Sequence, residues 1–296
     1  MILPSLGPGE LFAIGSSLTY SGTLICVRQG MRTATPTAAL FVIAVVVSLA
    51  GLAAAAVQGT LWALTWKAFL WFAATGALGM GVGNLLSFVG VQRMGVSRST
   101  PVTDAAPLWG AAFAVFFLGE RPGPPVLGGT VFIVAGVALL SVSFAREESK
   151  GDWFTGAMVF PLTASVILAF SPIMARWGYA HHPDPMTAMG VAFAAGSVTL
   201  LAGRPLLGAS ARLGVDRRAL AWFLGGAVFN ALASACIWSA FLYGEISKVL
   251  PLSRLTPVWV VAWSWLFLGR LERITWRVVL AAALVVGGGV LVTAFR

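Results

Sequence analysis

Residues 101–120 read P-V-T-D-A-A-P-L-W-G-A-A-F-A-V-F-F-L-G-E, and a related stretch begins 150 positions later, at Pro251. The second stretch, residues 251–272, reads P-L-S-R-L-T-P-V-W-V-V-A-W-S-W-L-F-L-G-R-L-E. The two align without a gap, and they share two prolines, a tryptophan and a Phe-Leu-Gly ending. Apolar composition alone does not align prolines. The offset is about half of the chain, which indicates a duplicated half rather than a short solenoid repeat.

The composition is that of a membrane protein. Hydrophobic residues make up 58% of the 296-residue chain and charged residues only 10%, whereas soluble domains carry about 25% charged residues. Apolar runs of about 20 residues are long enough to cross about 30 Å of hydrocarbon as helices. A helix also satisfies its own backbone hydrogen bonds, which lipid cannot do. The runs are continuous rather than alternating, which argues against a β-barrel.

The apolar runs predict ten membrane-spanning helices. They cover residues 11–27, 38–57, 68–91, 99–118, 126–144, 154–174, 186–202, 220–242, 249–268 and 276–295. The polar segment 146–152, R-E-E-S-K-G-D, predicts a linker between a first five-helix repeat, 1–145, and a second, 153–296. Because five is odd, the second half must enter the membrane from the opposite side. The predicted fold is therefore an all-α membrane protein with two inverted five-helix repeats, a common plan of secondary transporters.

The charged residues argue against several other classes of protein. The net charge is +9, but the basic residues are scattered singly among short loops, as the positive-inside rule predicts, so we expect no nucleic-acid partner. Counted by loop, thirteen Lys and Arg lie on the face opposite the termini and five on the face of the termini, which predicts both termini outside. Enzyme motifs are absent, and His181, His182 and Asp184 are too few for a metal site. We therefore expect a non-enzyme with no catalytic residue, metal or cofactor.

Two charges lie more than one helical turn inside predicted spans, Asp104 and Arg254, at equivalent positions of the repeat. Intramembrane charges usually face a cavity or a partner. We expect both to line a central cavity, where Arg254 would hold an anionic group and Asp104 an ammonium group or a coupling proton. Straight helices would place each charge about 9 Å from opposite membrane faces, and therefore about 12 Å apart, which predicts no simple ion pair unless the helices tilt or shift. The alternative is that each charge extends to its interface or joins a structural network.

Four further positions in the spans are candidates for helix breaks or cavity lining. Pro107 and Pro257 each remove a backbone donor and predict helix breaks, whereas Pro101 and Pro251 are better explained as helix starts. Asn84 and Asn230 lie well inside the third and eighth spans. Both follow glycines, so they either hydrogen-bond across a close helix contact or line the cavity.

Three aromatic side chains are the candidates for an apolar cavity wall: Tyr20, Trp109 and Trp259. Both tryptophans follow the repeated proline by two residues. The alternative is that they belong to the aromatic belts at the membrane surface, where most tryptophans of membrane proteins lie.

With these features in view, the chain resembles the drug/metabolite transporter superfamily, in its EamA-type branch. The resemblance rests on the repeat, the ten spans, Pro107 and Pro257, and the L-G-E ending at residues 118–120. The second half departs from it, since Gly269 is followed by Arg270 and the acid comes at Glu272. The resemblance implies a ten-helix carrier, often an exporter of amino acids or related metabolites. It also implies cytoplasmic termini, against the charge count.

These observations together predict a multi-pass carrier of the inner (cytoplasmic) membrane that moves a small-molecule substrate by alternating access. Its partners would be the substrate, the lipid bilayer and, with the question left open, a coupled proton. We expect a monomer, because a duplicated carrier forms its cavity alone. The competing classes are an intramembrane lipid-handling protein or enzyme, which would need catalytic side chains at one depth, and a partner protein that transports nothing.

Overall fold

A computed structural model describes residues 6–144, 156–268 and 276–294. Within these ranges every regular element is helical. The predicted linker 146–152 and Glu272 lie outside the described residues.

The described residues of the first half form seven α-helices. They are α1 (Pro8–Gly30), α2 (Pro36–Val57), α3 (Trp66–Thr75), α4 (Asn84–Met94), α5 (Val96–Thr103), α6 (Ala106–Leu118) and α7 (Pro124–Phe144). A π-helical stretch, Gly76–Gly83, joins α3 to α4, and a 3₁₀ turn at Thr60–Ala63 follows α2.

In the second half, residues 156–268 and 276–294 form six α-helices. They are α8 (Val159–Tyr179), α9 (Pro185–Gly203), α10 (Arg217–Tyr243), α11 (Ile246–Ser253), α12 (Thr256–Leu268) and α13 (Trp276–Ala294). Short 3₁₀ segments at Gly156–Met158 and Arg204–Ala211 precede α8 and follow α9.

Local sequence explains where the helices begin. Proline stands in the first turn, where its missing N–H costs no hydrogen bond, at Pro8, Pro36 and Pro185. The side chains of four N-cap residues accept a hydrogen bond from the backbone N–H three positions on: Thr35, Thr65, Asp184 and Asp216. Each cap satisfies a donor that has no partner within its helix.

The all-α membrane fold predicted from the sequence is confirmed. Seven helical runs of the described residues are long and apolar enough to cross a membrane, and two shorter apolar helices lie at Pro124–Leu139 and Leu280–Ala294. The predicted fourth span is such a run, Arg98–Leu118, although it contains the break between α5 and α6. The count of ten stays a prediction.

The two halves pack against each other reciprocally. Helix α2 contacts α9, and α7 contacts α13, its counterpart in the second half. The contact of α1 with α10 is matched by the contact of the α3–α4 run with α8. Buried hydroxyls help to join these helices, since Ser16 donates to the carbonyl of Ala233 at 2.8 Å and Ser48 donates to that of Gly190 at 3.0 Å. The core therefore lies between the halves.

Loop contacts distinguish the two ends of the bundle. At the end where α1 begins, which we call the terminal face, Thr60 donates to Asp184 at 3.0 Å and Gly9 lies against Gly244. At the opposite face, Thr33 donates to Asp216 at 3.2 Å. Both hydrogen bonds link a loop of the first half to a loop of the second.

Candidate functional site

Both fourth-in-repeat segments break at the predicted intramembrane charges. Helix α5 ends at Thr103 and α6 begins at Ala106, and Asp104 caps the first piece; likewise α11 ends at Ser253 and Arg254 caps it. The turns tighten to i→i+3 hydrogen bonds, from the N–H of Ala105 to Val102 and from that of Leu255 to Leu252. The chain thus presents one charge at each break.

The two charges form an ion pair. Arg254 Nη1 donates to Asp104 Oδ1 at 2.9 Å, and the side chains of Asp104 and Arg254 are 19% and 31% exposed. The expectation that they lie about 12 Å apart is therefore wrong. It treated each segment as one straight helix normal to the membrane and ignored the length of the arginine side chain. In the structure α6 packs on α11, which brings the two breaks together.

The prolines sit on both sides of the breaks. Pro101 and Pro251 lie inside α5 and α11, so the expectation that they start helices is wrong. Pro107 is buried in the first turn of α6. Pro257 follows the second break and lines the cavity described below. Because Pro257 has no N–H for the carbonyl of Ser253, that carbonyl instead accepts from the Thr256 hydroxyl at 3.3 Å.

The ion pair lines a cavity of about 500 Å³ between the halves. Asp104 and Arg254 are the charged members of this lining within the described part of the chain, so their charges balance. Polar groups come from serines of both halves and from Asn84, and the apolar wall includes Phe193, Trp238 and Phe241. The arrangement provides one carboxylate, one guanidinium and several neutral polar groups beside an apolar wall, which suits the binding of a small molecule.

A second space of about 210 Å³ adjoins the first and shares Tyr20 and Asn84 with it. Its lining adds Leu40, near the start of α2, and Leu200, near the end of α9. Both positions lie toward the opposite face. The central space is therefore extended toward the opposite face and away from the terminal face.

The two asparagines occupy different parts of these spaces. Asn84 lines both, and its Nδ2 donates to the carbonyl of Met80 in the π-helical stretch at 2.9 Å. Asn230 lines the smaller space, is 8% exposed, and accepts from the Ser234 hydroxyl at 3.1 Å. Both side chains thus form a hydrogen bond within their own helical run while they line the cavity.

The three aromatic candidates occupy different places in the structure. Tyr20 lines both spaces and is 40% exposed. Trp259 donates from Nε1 to the Ser17 hydroxyl at 3.0 Å, which joins α12 to α1. Trp109 is 40% exposed on α6. Neither tryptophan is among the described residues that line the two spaces.

Near the terminal face, hydrogen bonds join α8 to α10, two helices of the second half. The Tyr179 hydroxyl donates to the carbonyl of Trp238 at 2.9 Å, and Arg176 Nη1 donates to the carbonyls of Phe241 and Leu242 at 3.0 and 2.7 Å. These bonds fasten α8 to the last turn of α10, where a cation also complements the helix dipole.

Sequence reasoning missed two groups of residues. Ser16, Ser171 and Ser234 line the cavity, but an isolated serine in an apolar run gives no signal beyond its polarity. The sequence has Glu120 beside Arg121 at a span end, a pattern that predicts an interfacial helix terminus. The carboxylate of Glu120 instead accepts hydrogen bonds from the backbone N–H groups of Ile246 and Ser247.

Comparison with known proteins places this geometry in a family. The model of the EamA-like transporter family matches residues 7–142 and again 155–294. The phosphoenolpyruvate/phosphate translocator 1 of Arabidopsis thaliana chloroplasts is 37% identical over 84 residues, which is 28% of this chain and 20% of that protein. A triose phosphate/phosphate translocator of Brassica oleracea non-green plastids is 34% identical over 84 residues, again 28% of this chain and 20% of that protein.

The match to these curated relatives thus spans about a fifth of their length. A solved crystal structure superposes with a TM-score of 0.75 at 20% identity, over 97% of this chain and 96% of the other, and so shares the fold. The family match covers nearly the whole sequence and agrees with the helical membrane architecture. The chain is therefore a membrane transporter that belongs to the EamA-like transporter family of the drug/metabolite transporter superfamily.

Proposed function

We propose that this transporter carries a small polar or amphipathic metabolite, of the kind that amino acids represent, across the cytoplasmic membrane by alternating access. The observation that carries this proposal is the ion pair between Asp104 and Arg254, which lies at two helix breaks and lines the cavity between the halves. Broken helices at a midplane cavity supply the polar groups that secondary carriers use to bind substrate.

Charge balance in the cavity favours a substrate with little net charge. Asp104 and Arg254 offset each other, and no further charged side chain lines the cavity within the described residues. A phosphorylated anion would bring two negative charges to a lining with one paired cation. Although the plastid relatives are named for phosphate compounds, this lining supports a neutral or zwitterionic substrate. The volume of about 500 Å³ suits a molecule of amino-acid size or somewhat larger.

The asymmetry of the cavity supports an alternating mechanism, in which the site opens to one face and then to the other. The adjoining space extends toward the opposite face, and Trp238 and Phe241 of α10 line the cavity toward the terminal face. The two predicted halves, 1–145 and 153–296, would rock about the breaks to exchange these states. One copy of the chain contains the whole cavity, so a monomer suffices. Asp104 is the carboxylate that would carry a coupled proton, and export is the direction that the family resemblance favours.

Ligand-dependent thermal stability of the detergent-purified protein tests the proposal. The panel would contain amino acids, nucleosides, amines and sugar phosphates. A ligand at 100 times its Kd stabilises a protein by about 2.7 kcal/mol, so a member of the substrate class should raise the melting temperature of the unaltered chain. The same ligand should have no effect on Asp104→Asn or Arg254→Met, because each variant removes one of the groups that hold it.

Transport by purified protein in liposomes separates the remaining classes. A carrier moves the stabilising ligand without the help of another protein, whereas a partner protein or a lipid-handling protein does not move it. If both variants express well and transport at the normal rate, the ion pair is structural and the site lies elsewhere. If only lipids raise the melting temperature, the lipid-handling alternative replaces the carrier.

A further inference from the structure

Helix α11 is held at both ends by carboxylates of the first half. At its start, Glu120 Oε1 accepts from the N–H of Ile246 at 2.7 Å and Oε2 accepts from the N–H of Ser247 at 2.9 Å. At its end, Arg254 is paired with Asp104 at 2.9 Å. The helix that presents Arg254 to the cavity is thus positioned by contacts outside its own half.

Helix α6 supplies the spacing between the two carboxylates. Asp104 comes just before α6 and Glu120 just after it. Helices α6 and α11 pack side by side, with Gly110 against Leu250. At 1.5 Å per residue, the thirteen residues of α6 span about 20 Å and the eight of α11 about 12 Å. The long side chain of Arg254 helps to bridge the difference.

The Glu120 contact has the chemistry of a strong helix cap. A carboxylate that accepts two N–H groups at a helix N-terminus satisfies unpaired donors and complements the helix dipole. Such charge-assisted bonds are roughly twice as strong as neutral ones. Ile246 and Ser247 are 0% and 1% exposed, so water has little access to replace the carboxylate.

The cap lies at the terminal face, where α6 ends and α11 begins. The equivalent position of the second half is Arg270. A guanidinium has no acceptor and is repelled by a helix N-terminus, so this contact cannot be formed from that position.

We propose that Glu120 is a positioning residue of the transport cycle. In the state seen here it latches the terminal face closed by holding the start of α11 to the first half, and it sets α11 so that Arg254 reaches Asp104. The terminal face opens only when Ile246 and Ser247 leave the carboxylate. The role in a cycle rests on the alternating-access mechanism proposed above, whereas the latch itself rests on the contacts of Glu120.

Accessibility of the cavity from each face tests the latch. Cys26 and Cys236, the two cysteines of the chain, are replaced by alanine, and Ser171→Cys places one thiol in the cavity wall on α8, away from α11. Sealed vesicles, oriented by a terminal tag, are treated with a membrane-impermeant maleimide. Glu120→Gln keeps the size of the side chain but loses the charge and one acceptor, so labelling from the terminal face should rise about tenfold. Labelling from the opposite face should fall.

Glu245→Gln is the matched control, because Glu245 lies at the same end of α11. It pairs with Lys248 at 2.8 Å, its side chain is 55% exposed, and it makes no capping bond. Its labelling should equal that of the parent chain. Glu120→Asp keeps the charge but shortens the side chain, so it should give an intermediate rate of labelling from the terminal face. It replaces Glu120→Gln in the experiment if that variant fails to express.

Four outcomes distinguish the latch from a merely structural role of Glu120 and from the alternating-access mechanism. Equal labelling rates for Glu120→Gln and Glu245→Gln, or a lower melting temperature without a change in sidedness, would overturn the latch. Rapid labelling of the parent chain from the terminal face would also overturn it, since that face would then be open. If Glu120→Gln raises labelling while no panel ligand alters the parent chain's sidedness, the latch is supported and alternating access fails.

Discussion

Asp104 and Arg254 occupy equivalent positions of the two halves. This equivalence makes the pair well suited to an experiment in which the two residues are exchanged. Each follows the last residue of a short helix, and each meets the other at 2.9 Å. A purely structural pair needs only opposite charges at the two breaks. A substrate site also depends on which break carries the cation, because the polarity of the pair sets the orientation of a bound zwitterion.

We predict that the single variants Asp104→Ala and Arg254→Ala each lower the free energy of unfolding by about 1–3 kcal/mol, because each leaves a partly buried charge without its partner. The exchanged double variant, Asp104→Arg with Arg254→Asp, should recover at least half of that loss. Thermal melts of the four proteins measure this coupling. An exchanged variant no more stable than either alanine variant would show that the surroundings, and not the pair alone, fix each charge.

At the scale of helices, glycines permit close contacts at specific points. A Cβ on Gly129 of α7 would lie 2.6 Å from the carbonyl oxygen of Gly288 on α13, and one on Gly288 would lie equally close to the carbonyl oxygen of Gly129. At Gly128 and Gly287, one position earlier, a Cβ would meet nothing within 4 Å. The sequence has two adjacent glycines at 128–129 and three at 287–289. In each group, a single glycine is required for the close approach of α7 and α13.

Alanine substitution at adjacent glycines tests this contact. Gly129→Ala and Gly288→Ala should each destabilise the protein by about 1–3 kcal/mol through overpacking. Gly128→Ala and Gly287→Ala should be neutral or stabilise by up to about 1 kcal/mol, since alanine is the better helix former. Melting temperatures of the four variants measure the difference. Equal losses at adjacent positions would place the close contact elsewhere on the two helices.

At the scale of the whole molecule, the packing crosses the sequence repeat. Helices α1 and α2 contact α10 and α9 far more extensively than they contact each other, and α7 packs on α13. Each half therefore lacks a core of its own. The two repeats are units of sequence and of motion in the proposed mechanism, but their apolar helix faces are buried only in the complete molecule.

Separate expression of residues 1–148 and 149–296 tests this dependence. Neither half alone should yield a monodisperse, cooperatively melting protein, because its contact faces would be exposed. Coexpressed halves should copurify and recover the stability of the intact chain, apart from the effective concentration that the linker supplies. A half that melts cooperatively by itself would show that the repeats are independent folding domains.

The sequence by itself determined the class, the family and the positions of the breaks. Composition and run length require helices in lipid, and the 150-residue offset aligns Asp104 with Arg254 without any coordinates. It also offered Tyr20, Asn84 and Asn230 as candidates for cavity lining, with structural roles as the alternative, and these residues border the smaller of the two spaces. These features follow from local rules, because the burial of apolar residues, the hydrogen bonding of the backbone and the effects of proline depend on residues that are close in sequence.

Only the tertiary structure decided which charges meet. The depth argument kept Asp104 and Arg254 apart because helix tilt, the side-by-side packing of α6 and α11 and the reach of an arginine cannot be obtained from distances along the chain. The same packing turned Glu120 from a helix end into a cap on α11, 126 positions away, and left Trp109 outside the described cavity lining. Contacts between distant segments depend on how two surfaces fit, and that fit is a property of the folded molecule.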